Sequence, residues 1–163
     1  MNMVATHWEN EIWMDGVITS PHCAMTSIMS HGLHYGTGVF EGVRTYQGRP
    51  FKLCQHMHRL HKSSQLLGFE VPYSVQDLSD AALDVVRRAG EVNGYLRVLS
   101  WLDDTYLGLQ AKGLGVQTAI ITWPWPQVFA TTQGISLKFG SHTRPGPEVL
   151  PPQAKATGSY LIG

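Results

Sequence analysis

Cysteine is scarce in this chain: 163 residues hold two, Cys23 and Cys54, far apart and in no paired motif. That argues against a disulfide framework and makes a reducing cytoplasm the expected setting. An excess of charge of one sign is also missing. Twelve Lys and Arg balance twelve Asp and Glu, which argues against general nucleic-acid or anionic-membrane binding, since both draw on a basic surplus. No apolar run is long enough to cross a bilayer. The opening "MNMVATHWENEIW" has no basic segment followed by an apolar one, so no signal peptide is expected. Internal repeats and low-complexity tracts are absent. What is present is an ordinary hydrophobic content, 43%, enough for a sizeable core. The length suits one domain, or one and the start of another.

Turn chemistry and periodicity outline the elements. "EIWMDGVI" (11–18) reads as a strand pair turning at Asp15-Gly16. "VFEGVRTY" and "RPFKL" flank "QG", so 39–53 reads as a hairpin. "HMHRLHKSSQLLG" (56–68) reads as a helix ending at Gly68. The clearest helix spans 74–90: Ser74 and Asp77 resemble a capping box, and Leu78, Ala81, Ala82, Val85, Val86 and Ala89 recur on one face. Strands are expected at 94–102 and 116–123, then at 134–140 beyond the prolines of "WPWPQ". A helix is expected to start near Lys155. The plan is an α+β domain over 1–125, a connector over 126–133, and the start of something else over 134–163.

Period two in "GYLRVLSWL" puts Tyr95, Arg97, Leu99 and Trp101 on one face. An arginine in an apolar strand needs an anion, and a ligand carboxylate suits its planar fork. The plainer reading is a solvated arginine paired with Asp103 or Glu91. In "VFEGVRTY" the same alternation groups Phe40, Gly42, Arg44 and Tyr46; the glycine leaves room for a close approach, or marks a bulge beside a core phenylalanine. The histidines of "HGLHYGTG" (31–38) and "HMHRLH" lack Cys or acid partners at metal-binding spacing, so they read as hydrogen-bonded or surface groups and no metal is expected. Arg59 reads either as a solvated charge or as an anion ligand. Lys155 sits among small residues in "LPPQAKATGSYLIG". A lysine there is a surface charge by default; in a desolvated setting its free amine can attack a carbonyl and form a Schiff base.

Taken in order, "IWMDG", "MSHGLHYGTGVFEGVRTY", "HMHRLHKSS", "GYLRVL", "WPW" and "PPQAKATGSY" resemble the branched-chain amino acid aminotransferases. These are fold-type IV, class IV enzymes that use pyridoxal 5′-phosphate (PLP). The resemblance implies the small N-terminal α/β domain of that fold, followed by the first strand and the lysine segment of the larger second domain. It implies that Lys155 carries PLP and shuttles the proton at the substrate Cα, that Tyr160 meets the cofactor's ring oxygen, and that Arg59 binds its phosphate. Phe40, Gly42, Tyr95 and Trp125 would line the substrate pocket, and Arg97 would take the side-chain carboxylate of glutamate. Tyr35, Leu107 and Leu109 would reach into a partner subunit's site, which implies a homodimer or a higher homo-oligomer. The implied substrates are branched-chain amino acids, glutamate and their 2-oxo acids.

Two small departures are "KATGSY" for the more usual "KAGGNY" and "GTGVFEG" for "GTSVFEG". The large one is length. Family members continue past this lysine into a domain that supplies the acid at the pyridine nitrogen, the phosphate loops and a threonine-bearing loop at the substrate carboxylate. The resemblance therefore implies a fragment that is inactive or weakly active by itself. The alternatives are a D-amino acid aminotransferase or aminodeoxychorismate lyase of the same fold, and a non-catalytic dimerising fragment.

Overall fold

The structure is a computed structural model that describes residues 9–90, 93–103, 108–125 and 136–161. Two short strands, β1 (Ile12–Met14) and β2 (Val17–Thr19), form the expected pair. Their turn uses Asp15 at φ +47° and Gly16 at φ +93°, the left-handed pair that a two-residue hairpin demands. After α1 (His31–Tyr35) comes β3 (Gly38–Tyr46), joined by a tight turn to β4 (Arg49–Pro50). The second arm of this hairpin is shorter than expected, because α2 (Leu53–Leu66) already begins at Leu53. Lys52, in the left-handed region at φ +52°, turns the chain from strand into helix.

The capping box on α3 (Val75–Ala89) is present: Ser74 Oγ accepts from the Asp77 N–H at 3.1 Å, and the Ser74 N–H donates to Asp77 Oδ2 at 3.0 Å. The Ser74 hydroxyl also donates to Asp77 Oδ2 at 2.7 Å, and this bond first, then the one from the Ser74 N–H, lowers the Asp77 pKa. Gly90 closes the helix at φ +66°. β5 (Asn93–Asp103) and β6 (Gly115–Pro124) complete a six-stranded antiparallel sheet in the order β2-β1-β6-β5-β3-β4.

Alternation divides the sheet into two faces. Val39, Val43, Leu96, Val98, Leu102 and Ile120 are buried under α2 and α3, which contribute Met57, Leu60, Leu78, Ala82, Val85 and Val86. The opposite face carries Phe40, Gly42 and Arg44 of β3, which pair with Leu99, Arg97 and Tyr95 of β5. Period two thus groups these side chains as the sequence predicts.

Two further expectations differ. Residues 136–140 are irregular, not a strand; no strand among the described residues pairs with them, and Leu137 and Phe139 are exposed to solvent. The helix near Lys155 is a single 3-10 turn, Thr157–Tyr160, which starts without a side-chain cap. The expected connector, 126–133, lies outside the described residues. No helix among the described residues is long and apolar enough to cross a membrane.

Candidate active site

The segment around Lys155 is held by its backbone. Ala154 and Ala156 are buried, and small side chains there let the chain lie close to its neighbours. The Lys155 N–H donates to Ser63 Oγ of α2 at 3.0 Å, and its carbonyl accepts from the Phe40 N–H at 3.1 Å. Ala156 forms an antiparallel bridge with Val39. The 3-10 turn then folds Tyr160 back over the lysine, so that Lys155 Nζ donates to Tyr160 Oη at 2.6 Å. Nζ also lies 4.6 Å from the Phe40 ring centroid, and the Phe40 and Tyr160 rings are 4.9 Å apart.

Beside this pair is a cleft of about 250 Å³, lined by Lys155, Tyr160, Ser159, Gln153, Arg59 and Arg144 among others. Arg59 reaches it from α2. Its guanidinium is fixed by Glu41, a completely buried carboxylate on the helix-facing side of β3: Nη2 donates to Oε2 at 2.7 Å and Nε to Oε1 at 2.5 Å. His56 Nδ1 is 2.8 Å from the same Oε2. Hydrogen bonding to Glu41 raises the Arg59 pKa, so the guanidinium keeps its charge. Its Nη1 has no partner among the described residues and is available to an anion. A primary amine, a phenol and an oriented guanidinium around one cleft are the donors that an aldehyde-bearing phosphate such as PLP needs, so the residues present fit the group.

Phe40 links the lysine to the open face of the sheet. The Arg97 guanidinium is 4.5 Å from the Phe40 ring centroid, 5.7 Å from Tyr95 and 5.9 Å from Trp123. Arg97 Nε is buried without a hydrogen-bond partner, and no ion pair among the described residues includes Arg97. Pairing with Asp103 is therefore absent, and Glu91 lies outside the described residues. Trp125 stacks on Tyr95 at 4.8 Å and 29°. Tyr95 in turn lies across Gly42, where a Cβ would come within 1.7 Å of its hydroxyl. The glycine is there to let a ring pass over the strand.

The structure thus brings together Lys155, Tyr160, Arg59, Phe40, Gly42, Tyr95, Arg97 and Trp125. Tyr35 and Leu109 do not join them; both are exposed, at 42% and 86%, and neither lines the cleft. Leu107 lies outside the described residues. Sequence reasoning missed Glu41, Ser63 and Arg144. For Glu41 a signal existed: an acid on the apolar side of an alternating strand needs a buried cation. The histidines are hydrogen-bonded where the structure gives them a partner, His31 to Thr37 at 2.7 Å, His34 to the Ile28 carbonyl at 2.9 Å and His56 to Glu41. Among the described residues no group of three or more His, Cys, Asp or Glu is arranged to hold a metal ion.

Known proteins resemble this chain in sequence and fold. The family model for Amino-transferase class IV matches residues 38–162. The branched-chain-amino-acid aminotransferase of Escherichia coli (strain K12) is 35% identical over 158 residues, covering 92% of this chain and 51% of the relative. The branched-chain aminotransferase of the archaeon Thermoproteus uzoniensis, solved with norvaline, superposes with a TM-score of 0.86 at 33% identity, over 93% of this chain and 52% of that one. The T.th. branched-chain amino acid aminotransferase complexed with N-(5′-phosphopyridoxyl)-L-glutamate gives 0.87 at 34% identity, over 93% and 51%. The chain spans about half the length of the curated relatives it matches. With the match to the family model running from the start of β3 through Tyr160, and the fold shared with the solved enzymes, the chain belongs to the class IV aminotransferases.

Proposed function

We propose that this chain supplies the lysine, the phosphate arginine and the substrate face of a PLP-dependent branched-chain amino acid aminotransferase. That enzyme moves an amino group between leucine, isoleucine or valine and 2-oxoglutarate. One observation carries the reading: Phe40 touches both the Lys155–Tyr160 pair and the unpaired Arg97, so a lysine amine and a carboxylate receptor share one apolar wall. When bound, PLP supplies an aldehyde for the lysine and a ring that withdraws electrons from the substrate Cα. Lys155 moves the proton at that carbon, and Tyr160 orients Nζ through its hydroxyl. Arg59 offers Nη1 to the phosphate while Glu41 fixes its plane. Arg97 receives the side-chain carboxylate of glutamate; Phe40, Tyr95 and Trp125 pack against a branched aliphatic chain and exclude water. The relatives solved with norvaline, an unbranched aliphatic amino acid, and with phosphopyridoxyl-glutamate support an aliphatic and an acidic side chain sharing one pocket. The exposed apolar side chains Met25, Ile28, Leu33 and Tyr35 support a homo-oligomer.

The test is to incubate the chain with PLP, reduce with borohydride and map the modified peptide. Lys155 is expected to carry the label in preference to Lys52, Lys62, Lys112 and Lys138. In a separate, unreduced sample, leucine, but not D-alanine, should convert PLP to pyridoxamine phosphate faster with the wild type than with Lys155→Ala. D-alanine activity without leucine activity would transfer the reading to a D-amino acid aminotransferase. Labelling spread evenly over the lysines, with no conversion, would leave a non-catalytic fragment.

A further inference from the structure

Gly38 and Thr157, two of the three positions at which this chain departs from the usual motifs, lie far apart in sequence and in contact in space. A Cβ on Gly38 would sit 3.3 Å from Thr157 Cγ2, 3.2 Å from Trp101 Cβ and 3.3 Å from the Ser100 carbonyl oxygen. The last two belong to the β5 backbone and its root atoms and cannot swing away. The Thr157 hydroxyl shares its one proton between two acceptors, the Gly36 carbonyl at 2.8 Å and the Gly38 carbonyl at 3.2 Å.

Thr157 is also the first residue of the 3-10 turn that bends Tyr160 over Lys155 Nζ, and the residue before it, Ala156, makes no side-chain cap. A single turn has no helical cooperativity to hold it. Its start is anchored by the Thr157 hydroxyl and by the one bridge between Val39 and Ala156. Resting on the reading of Lys155 as the PLP-bearing lysine, we propose that Thr157 is a positioning residue for it. The hydroxyl ties the lysine segment to the turn between α1 and β3, and the missing side chain at Gly38 is the space that admits it.

The proposal separates shape from hydrogen bonding. Thr157→Val keeps the shape and removes the donor; Thr157→Ser keeps the donor. In the purified chain, Thr157→Val should speed amide exchange at the Phe40 N–H, which bonds to the Lys155 carbonyl, by about fivefold, the factor expected for one net hydrogen bond. It should also move the pH midpoint of PLP trapping at Lys155, because Tyr160 no longer holds Nζ in one place. Thr157→Ser should stay near the wild type in both. Gly38→Ser should lower the urea midpoint in the wild-type background and do so less in a Thr157→Gly background, since one of the three close contacts is then gone. Wild-type exchange and an unmoved trapping midpoint in Thr157→Val would overturn the proposal, as would a Gly38→Ser penalty equal in both backgrounds. Should the wild type fail to trap PLP at Lys155, the functional reading falls, while the exchange and urea arms still decide whether Thr157 clamps the segment.

Discussion

Gly42 and Glu41 are neighbours on β3 that face opposite sides of the sheet, and each sets a different part of the site. Gly42→Ala forces the Tyr95 hydroxyl away from a Cβ that would otherwise come within 1.7 Å. The displaced group is the far end of a side chain, so the fold survives. The expected loss is the 4.8 Å stack of Tyr95 on Trp125, read as a reduced near-ultraviolet circular dichroism signal with a urea midpoint close to the wild type. Glu41→Gln instead leaves the Arg59 charge without its buried partner. Arg59 is half exposed, so water offsets part of the loss, and a destabilisation of about 2 kcal/mol is expected in urea unfolding. Gly42 could be singled out from sequence, because glycine inside an alternating strand has few reasons to be there. Glu41 could not be matched to Arg59, since an ion pair between a strand and a helix leaves no period in the chain.

Among the elements, α3 was the most legible, because every signal for it is local: Ser74 and Asp77 at its start, an apolar stripe along it, Gly90 after it. The start of α2 was three residues off for the opposite reason. Its N-cap is Lys52 with no capping side chain, so nothing in the sequence announces it. The faces of β3 and β5 followed from alternation, whereas their register, with Gly42 opposite Arg97, comes from the tertiary fold. α2 also carries a pH response. His61 is held below its ordinary value of 6.5, chiefly by burial and then by His58, with an opposing contribution from a bond to the Tyr73 backbone. The unfolded chain therefore binds the His61 proton more readily. Stability is full above about 6.5 and is lost as pH falls from there toward the folded-state value. Urea midpoints should drop over that interval, and His61→Gln should flatten the drop.

For the whole molecule, one group of exposed apolar side chains falls within a short stretch of sequence around α1. Ile28 and Leu33 are 78% and 60% exposed in and before α1, beside Met25 and Tyr35. Sedimentation should show self-association of the wild type, and Ile28→Glu with Leu33→Glu should reduce it to a monomer while leaving the far-ultraviolet spectrum unchanged. A monomeric wild type at micromolar concentration would count against a homo-oligomer. Of the arrangement at this scale, the sequence carries the motifs and their order, and long-range packing supplies the rest: Trp13 pairs with Ile120, and Val39 with Ala156.

That last pairing has a consequence for how the chain is made. β4 covers only Thr45 and Tyr46, so the outer rim of β3 from Val39 to Phe40 is met instead by Lys155 and Ala156. During synthesis this rim waits for more than a hundred residues to emerge before its cover arrives, about five to twenty seconds at ordinary ribosome speed. Over that interval it is an unpaired strand template, the kind that nascent chains use to stick to one another. The segment that delivers the lysine is therefore also the gatekeeper of solubility, and loss of residues 154–160 should harm the yield of soluble protein before it harms any chemistry.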